Sequence, residues 1–493
     1  MKMRILCCLI AIAVIAPNCL AQRRASRANL ANEVRREFLH AWNDYKQYAW
    51  GHDDLKPLSK SYHDWYAEPL LMTPVDALDT MILMGLTDEA STTREYIATH
   101  LSFDKDISVQ NFEITIRLLG GLLSVYEMTG DQRLLKLAED LGNRLLPVFN
   151  SPTGLPYRYV NLKTGAVRGN VTNPAEAGTL LIEFGTLARL THRQVFYDKA
   201  KRALVEIYNR RSPIGLVGTW INVETGQWTD IDSHISGAID SYYEYLVKSA
   251  LLFHDDECWR MWLSSSEAIN KYLADATPKV KNASSAPAYG AVVGANSSER
   301  WYGHADMNTG KRTATSFGAL DAFFPAVLVL ANDSDRGRLL QESSYKMWMK
   351  YGIEPEEINY LTMVPTSEGY PLRPEIIEST YYLYDYAIRD ERRTYRPEPY
   401  PRLDPKHYQD MGETMWRDFV KYCRNDVGYA ALKSVITKEK ADSMQSFLFA
   451  ETFKYFYLLF ARPRTLDFNR VIFNTEAHPM RKSWPTKPAA AKN

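Results

Sequence analysis

The sequence predicts an all-α fold, an α/α barrel built from helices that occur in neighbouring pairs. Two observations support this prediction. Apolar residues recur at i, i+3 and i+4 over long stretches of the chain, which is the period of an amphipathic helix. Carboxylates also recur within these apolar segments at a long, regular spacing, which fits two helices and a substantial loop per step.

The composition is that of a folded chain. Of the 493 residues, 45% are hydrophobic and 24% are charged, which is typical of a soluble globular protein. The length alone suggests two to four domains, but no long Pro/Gly/Ser linker interrupts residues 30–478. We therefore expect a single domain over residues 30–479. The 59 basic and 59 acidic residues balance, which argues against a nucleic-acid partner.

The first 21 residues have the features of a cleaved secretory signal. Lys2 and Arg4 precede an apolar run over Ile5–Ala16 that is too short to span a bilayer, and a small-x-small pattern ends at Ala21. A lipidated Cys19 is the weaker alternative. We expect a secretory-pathway protein without a membrane span, located in the ER lumen if eukaryotic and secreted or periplasmic if bacterial.

Two cysteines remain after removal of the signal segment. Cys258 and Cys423 are 165 residues apart. A disulfide and two free buried thiols are both compatible with the sequence.

Eleven segments carry the helical period, and two shorter ones read as β-hairpins around Thr164-Gly165 and Thr225-Gly226. The polar, Ala/Pro-rich residues 480–493 are predicted to be a disordered tail. The predicted helices are Glu33–Tyr48, Phe112–Met128, Gln132–Val148, Glu176–Leu190, Tyr197–Asn209, Asp240–Phe253, Glu257–Leu273, Phe317–Ala331, Glu375–Arg389, His407–Tyr422 and Met444–Phe460.

Five of these helices place a carboxylate near one end. Glu113, Glu176, Asp240, Glu375 and Glu451 follow one another at spacings of 63, 64, 135 and 76 residues. Carboxylates are rarely buried unless paired, so this series predicts an acidic cup where the inner helices converge. The alternative is that each acid merely complements the dipole at a helix N-terminus.

Two clusters combine acids with arginine. Glu113 and Arg117 are i,i+4 neighbours and share a helix face, as a catalytic acid beside a cation or as a structural ion pair. Arg373 is followed by Glu375 and Glu378 at the start of another helix. Such a surplus of carboxylates suits either acid/base cleavage of a glycosidic bond or binding of an oxygen-ligated cation.

The segment VIFNTEAHP near the C-terminus offers further oxygen ligands. Thr475 and Glu476, together with Glu451, are candidates to surround a calcium ion, although Thr475 alone fits an ordinary strand end. The lone His478 is interpreted as structural. No zinc, nucleotide-binding or serine-hydrolase motif is present.

Taken together, these motifs resemble glycoside hydrolase family 47, the class I α-mannosidases. The resemblance extends from about Ala41 to Pro479. It is carried, in the order found in that family, by AWNDYKQYAWGHDDLKPLS, PVDALDTMILMGL, FEITIRLLGGLLSVYEMTGD, GLPYRYVNLKTG, AIDSYYEYLVK, YPLRPEIIESTYYLYDYAIRD, MQSFLFAETFKYFYLLF and VIFNTEAHP.

The resemblance implies an (α/α)7 barrel plugged at one end by a C-terminal β-hairpin. It further implies an inverting, exo-acting hydrolase that removes α-linked mannose, usually α-1,2, from high-mannose N-glycans or glycoproteins. One calcium ion is implied at the barrel floor, held directly by Thr475 and otherwise by water molecules. We expect a monomer.

The resemblance also implies residue roles. Glu113 matches the proposed general acid, Glu375 the general base, and Asp240 a third essential carboxylate that is a rival candidate for the acid. Other matching positions line the sugar subsite or the water shell of the calcium ion: Arg117, Glu176, Arg373, Glu378, Phe447, Glu451 and Glu476.

Three positions depart from the processing enzymes of that family. Ala238 stands where they carry an arginine, Ala319 where they carry a histidine, and Gln445 where a glutamate is common. The first two changes resemble the ER degradation-enhancing branch or a bacterial member. The alternative function is therefore a mannose-glycan-binding protein of glycoprotein quality control with little or no hydrolysis.

Overall fold

The structure, a computed structural model, describes residues 27–276, 299–391, 402–463 and 465–482. The predicted signal segment, residues 1–21, lies outside the described residues. The described chain continues past the expected boundary at 479, because strand β18 covers Pro479–Arg481. The rest of the predicted tail, residues 483–493, is outside the described residues.

The described residues form two concentric layers of helices. The outer layer consists of α1 (27–48), α3 (Thr87–His100), α6 (Gln132–Leu145), α9 (Gln194–Asn209), α11 (Asp256–Tyr272), α13 (Ser334–Tyr351) and α15 (Pro405–Cys423).

The inner layer alternates with the outer one along the chain, and two of its members contain a π-helical segment. Its members are α2 (Met72–Met84); α4 (Asn111–Ile114), which continues through the π-helical Thr115–Leu119 into α5 (Gly120–Thr129); α7 (Pro174–Gly178) with α8 (Leu181–Thr191); α10 (Asp240–Phe253); α12 (Phe324–Leu330); α14 (Glu375–Glu391); and the π-helical Leu448–Thr452, which continues into α16 (Phe453–Phe460). Short 3-10 helices cover Leu146–Phe149 and Ala319–Asp321.

The inner helices close into a ring. Each packs on the next, and the last, α16, packs back on α2. Outer helices cover the inner ones, as where Phe38 and Trp42 of α1 meet Phe449 and Phe453 edge-on at centroid distances of 5.1–5.8 Å. The predicted α/α barrel is confirmed, and its seven helix pairs match the (α/α)7 expectation.

Short antiparallel strands lie in the loops between the helices. They form the sheets β1 (Asp54–Lys56) with β2 (Ser61–His63); β3 (Ser108–Gln110), β4 (Tyr159–Asn161) and β5 (Val167–Arg168); β6 (Val171–Thr172), β7 (Trp220–Asn222) and β8 (Trp228–Asp230); β9 (Asp232–Ser233), β12 (His304–Asp306) and β13 (Arg312–Ala314); β10 (Ala274–Ala276) with β11 (Arg300–Tyr302); β14 (Ser316–Gly318), β15 (Glu357–Asn359) and β16 (Val364–Ser367); and β17 (Val471–Phe473) with β18.

The C-terminal hairpin of β17 and β18 plugs the barrel. Strand β17 packs on α10 and β18 on α5, and Phe473 and Met480 are fully buried between the inner helices. Lysines of two inner helices bind the tip, since Lys454 donates to the carbonyl of Ala477 at 2.6 Å and Lys248 to that of Asn474 at 3.3 Å. The tip is thereby held against the carboxylates of the inner layer.

Several elements differ from the sequence prediction. Helices α2, α3 and α13 were not predicted; α2 is apolar on almost every side, so it shows no clear helical period. The helix predicted over Phe317–Ala331 begins only at Phe324, because Ser316–Gly318 pairs with β15. The helix predicted over Glu176–Leu190 is interrupted after Gly178.

Both remaining cysteines are free and buried. Of the two alternatives that the sequence left open, the structure therefore has two separate thiols. Within the described residues, no helix combines the length and apolar character needed to cross a bilayer.

Candidate active site

Carboxylates occupy the N-terminal ends of five inner helices. Asp240 and Glu375 are the first residues of α10 and α14, Glu113 and Glu176 lie in the first turns of α4 and α7, and Glu451 lies in the π-helical segment before α16. The dipole of each helix favours a negative charge at this end. The charges of four of these carboxylates, Glu113, Asp240, Glu375 and Glu451, act on one another directly or through Arg117, so these four lie close together.

Arg117 lies at the centre of one acidic group. Its Nε donates to Glu113 at 3.0 Å, its Nη1 bonds Glu476 at the hairpin tip, and the same nitrogen lies 3.6 Å from Asp76 of α2. The side chain of Arg117 is only 8% exposed, so these contacts take place away from bulk solvent. Arg117 therefore connects the hairpin tip with two inner helices.

Aromatic rings cover the guanidinium groups of the site. Arg117 lies 5.1 Å from the ring centroid of Trp65 and 5.8 Å from that of Phe447. The guanidinium of Arg373 lies 6.0 Å from the centroid of the same Phe447 ring. An apolar ring between two cations gives a surface on which the face of a sugar ring can pack.

Both π-helical segments of the inner layer carry site residues. Arg117 lies in Thr115–Leu119 and Glu451 in Leu448–Thr452. A π-turn widens the helix locally and is frequent at functional sites. Here it occurs where a charged side chain must be accommodated in the buried interior of the barrel.

Glu375 is recessed at the start of α14. Its Oε2 is buried and has no hydrogen-bond partner, and its Oε1 lies 3.8 Å from Nη1 of Arg373. Burial raises the pKa of Glu375 to about 7; the charge of Arg373 lowers this pKa, but Glu356 and Asp240 add to the increase. Arg373 thus favours the ionised form of Glu375, but the effect of burial is larger.

Asp240 has a similar environment at the start of α10. Its Oδ1 accepts hydrogen bonds from the backbone N–H and the hydroxyl of Ser241, at 2.5 and 3.0 Å. Desolvation nevertheless raises the pKa of Asp240 to about 7, and the neighbouring Glu244 adds to this increase. Asp240 and Glu375 are therefore two carboxyls that interact electrostatically and titrate near neutral pH.

A second group of carboxylates surrounds the hairpin tip. Glu378, Glu451 and Glu476 are all at least 92% buried. Burial raises the pKa of each carboxyl, and the charges of Glu476, Glu378 and Glu375 raise that of Glu451 further. Mutually repelling buried carboxylates are the donor set of an oxygen-ligated divalent cation, which would compensate their charge.

Thr475 lies at the tip of the hairpin, beside this group. Its backbone N–H lies 3.3 Å from the hydroxyl of Tyr245, which in turn donates to Glu183 at 2.6 Å. Asn474 donates from the same amide group to Glu183 and to the carbonyl of Ile116, both at 2.8 Å. These bonds fix the position of Thr475 relative to the inner helices.

Glu176 stands at the edge of the site rather than in the Arg117 group. Arg158 binds its carboxylate through two hydrogen bonds of 2.6 Å, and the Arg158 guanidinium lies 5.3 Å from the ring of Trp220. Glu183 belongs to the separate helix α8 and contacts the hairpin instead.

Sequence reasoning missed several residues of the site. Asp76 was detectable in principle, since it and Asp79 are acids in an otherwise apolar helix. Glu356, which binds Arg373 at 2.7 and 3.0 Å, lies at a loop position without a recognisable pattern. Arg158 and Trp65 are also loop residues, and only the folded chain brings them to the site.

A ring of paired helices with recessed carboxylates at one end defines the class of the protein: a glycoside hydrolase of the α/α-barrel type. The family model of glycosyl hydrolase family 47 matches residues 37–482. The chain belongs to this family, as the motifs of its sequence indicated.

Curated relatives include both branches of the family. "Alpha-mannosidase I MNS5" of Arabidopsis thaliana is 34% identical and aligns over 98% of this chain and 83% of its own length. "ER degradation-enhancing alpha-mannosidase-like protein 2" of Mus musculus is 33% identical over 92% of this chain and 78% of its own length. "Endoplasmic reticulum mannosyl-oligosaccharide 1,2-alpha-mannosidase" of Homo sapiens is also 33% identical, over 90% of this chain and 62% of its own length. Sequence identity therefore does not separate the two branches.

A solved structure supports the same assignment. The alpha-1,2-mannosidase from Trichoderma reesei superposes with a TM-score of 0.79 at 27% identity, covering 92% of this chain and 99% of that one. The two proteins share the barrel over nearly their full lengths.

Proposed function

We propose that this protein is an inverting, exo-acting, calcium-dependent α-mannosidase that trims α-1,2-linked mannose from high-mannose N-glycans. The observation that carries the proposal is the position of Asp240 and Glu375 as the first residues of two inner helices, where burial raises the pKa of both carboxyls to about 7. Inversion needs one protonated and one ionised carboxyl in the same site. Family membership and the names of the relatives support mannose as the sugar.

Glu375 acts as the general base in this proposal. Its unpartnered Oε2 is available to accept a proton from the attacking water, and the residue is the first of helix α14. Arg373, which is bound to Glu356, and Phe447 border the base and position the sugar ring.

Two carboxyls are candidates for the general acid. The family resemblance gives the role to Glu113, acting through a water molecule, with Asp240 as the rival. Glu113 accepts a hydrogen bond from the Nε of Arg117, whereas burial raises the pKa of Asp240 to about 7. A mannoside with a very acidic leaving group should rescue loss of the true acid, because that leaving group needs no proton.

Thr475 would hold a calcium ion directly, and Glu451 and Glu476 would hold it through water molecules. Bound there, the ion supplies a positive charge and open coordination positions for sugar hydroxyls. The buried carboxylates around the hairpin tip supply the negative charge and the oxygen atoms that a calcium ion requires. Arg117, Glu176 and Glu378 complete the binding surface for the substrate.

We further propose that the chain acts in the secretory pathway, in the ER lumen of a eukaryote or outside the cytoplasm of a bacterium. Residues 1–21 would direct it there, and residues 30–479 would act as one catalytic domain.

Release of free mannose from a nine-mannose glycan tests the function. We expect turnover by the unmodified protein and none by Glu375→Gln, which should still bind the glycan because the amide has the same shape as the carboxylate. Proton NMR should detect β-mannose as the first product. Initial release of α-mannose would contradict inversion, and binding without any turnover by the unmodified protein would favour the glycan-binding alternative.

A further inference from the structure

A cluster of two histidines and an aspartate lies outside the carboxylate site. Asp232 is on β9, His304 is on the neighbouring strand β12, and His234 follows β9 directly. The Nδ1 of His304 lies 2.7 Å from Oδ2 of Asp232, and the imidazole rings of His234 and His304 stack with centroids 4.4 Å apart. One potential ligand atom from each residue lies within 4.8 Å of the other two.

His234 gives an independent indication of a missing ligand. Its side chain is 94% buried, and its Nε2 is 3.1 Å from the hydroxyl of Thr219. The Nδ1 is buried too but makes no well-formed hydrogen bond, although the backbone of Ser236 lies nearby. Because the Ser236 contact does not give the Nδ1 a hydrogen bond of good geometry, a ligand bound to this nitrogen would offset part of the cost of burying it.

We propose that Asp232, His234 and His304 form a binding site for a divalent transition-metal ion, with Zn²⁺ as the preferred ion. Two imidazoles and one carboxylate are the donor set that zinc accepts, leaving a fourth position for water, whereas calcium and magnesium prefer all-oxygen sites. Tetrahedral zinc ligands at about 2.0–2.1 Å from the metal are about 3.4 Å apart, so the widest separation in the cluster must close by up to about 1.4 Å through side-chain rotation.

The position of the cluster suggests what the ion does. Ser236, two residues after His234, accepts hydrogen bonds through its carbonyl from the N–H groups of Ile239 and Asp240, at 3.1 and 3.0 Å. An ion bound to His234 therefore stabilises the turn from which α10 and its first residue, Asp240, begin. The ion has a structural role: it stabilises this turn and takes no part in the reaction at the carboxylates.

Metal binding to the full chain tests the proposal directly. After treatment with a chelator and dialysis, the protein is titrated with ZnCl₂ by calorimetry in the presence of excess CaCl₂, and the Co²⁺ form is examined for the visible absorption of tetrahedral cobalt. We expect one Zn²⁺ per chain, an increase in Tm on binding, and affinity at least about tenfold weaker in His304→Ala and Asp232→Asn. His304 is partly exposed, so this variant should fold even if His234→Ala does not.

The matched control is His407→Ala, which removes a histidine from an exposed pair with Glu342 on the outer helices. It should bind zinc as the unmodified protein does. Absence of zinc binding, equal affinity in His304→Ala, or displacement of zinc by calcium would overturn the proposal. Because binding is read without substrate, these outcomes are independent of whether the protein releases mannose.

Discussion

The guanidinium of Arg373 is hydrogen-bonded to Glu356, at 2.7 and 3.0 Å, and not to Glu375, which lies 3.8 Å away. The cation that borders the proposed base is thus largely neutralised by another carboxylate. Burial consequently dominates and raises the pKa of Glu375 to about 7. Glu356 raises the pKa of Glu375 in two ways. Its own negative charge acts on Glu375, and its hydrogen bonds to Arg373 offset the positive charge of that residue.

Glu356→Gln should shift the pH dependence of the reaction. A general base works ionised, so kcat/KM falls as the pH drops through the pKa of Glu375 in the free enzyme. The substitution removes one negative charge and releases Arg373, and both effects lower this pKa. We expect the acidic limb of the profile to move to lower pH by about one unit.

Mannose release measured from pH 5 to 9 checks this shift. Glu342→Gln serves as the control, because it neutralises a half-buried glutamate on the outer helix α13, where its partner is His407. An acidic limb that stays in place or moves to higher pH in Glu356→Gln would show that Glu356 does not control the base.

The sequence predicted the ring of acidic helix ends, because an acid at the start of an apolar helix is a local pattern. Asp240 and Glu375 were both identified in this way. The partners of these acids were not predicted, since they come from distant parts of the chain. His478, interpreted as a lone structural residue, contacts Asp76 and Asp79, which lie 402 and 399 residues away.

The calcium site gives a second prediction. Thr475→Val keeps the shape of the side chain but removes the hydroxyl, so calcium binding measured by calorimetry should weaken. Chelation should stop mannose release, and calcium should restore it better than magnesium, since a site with many irregular oxygen ligands disfavours the strict octahedron of magnesium. Thr414→Val, at an exposed position of α15, is the control. Full activity in metal-free buffer would rule out the calcium requirement.

His478 makes the stability of the barrel dependent on pH. The imidazole is fully buried, 2.7 Å from Asp79 and 3.3 Å from Asp76. Burial alone would lower the pKa of His478, but the two carboxylates raise it to about 9. A raised histidine pKa contributes stability that is complete below the unfolded value of about 6.5 and is lost as the pH rises through 9.

We therefore expect Tm to fall between pH 6.5 and 9, with a loss of up to about 3 kcal/mol in the free energy of unfolding. His478→Gln should have a lower Tm than the unmodified protein at pH 6.5, and its Tm should fall less between pH 6.5 and 9. His100→Gln, on the surface of α3, should retain the slope of the unmodified protein. Thermal unfolding followed by circular dichroism measures both quantities, and an unchanged slope in His478→Gln would contradict the assignment.

Position 238 should control which mannoses are removed. Ala238 has a positive φ of 75°, and its carbonyl accepts a hydrogen bond of 2.9 Å from the N–H of Ala175, next to Glu176. The residue therefore lies at the edge of the site, where Arg158 already binds Glu176. Without a side-chain donor at 238, the site lacks the five-donor fork that an arginine would offer to neighbouring sugars.

We expect the unmodified protein to trim free nine-mannose glycan slowly and to yield several isomers, whereas Ala238→Arg should act faster and yield fewer. Arginine adds no new backbone strain, because alanine already carries a β-carbon at this positive φ. Ala238→Gly is the matched control, since it relaxes the backbone without adding a donor and should leave the isomer pattern unchanged. If isomer mapping finds a single product from the unmodified protein, and Ala238→Arg alters neither rate nor pattern, a position other than 238 determines which mannose branch is removed. The Arg158–Glu176 pair at the same edge would then be the position to vary, because two hydrogen bonds hold its guanidinium in a fixed orientation.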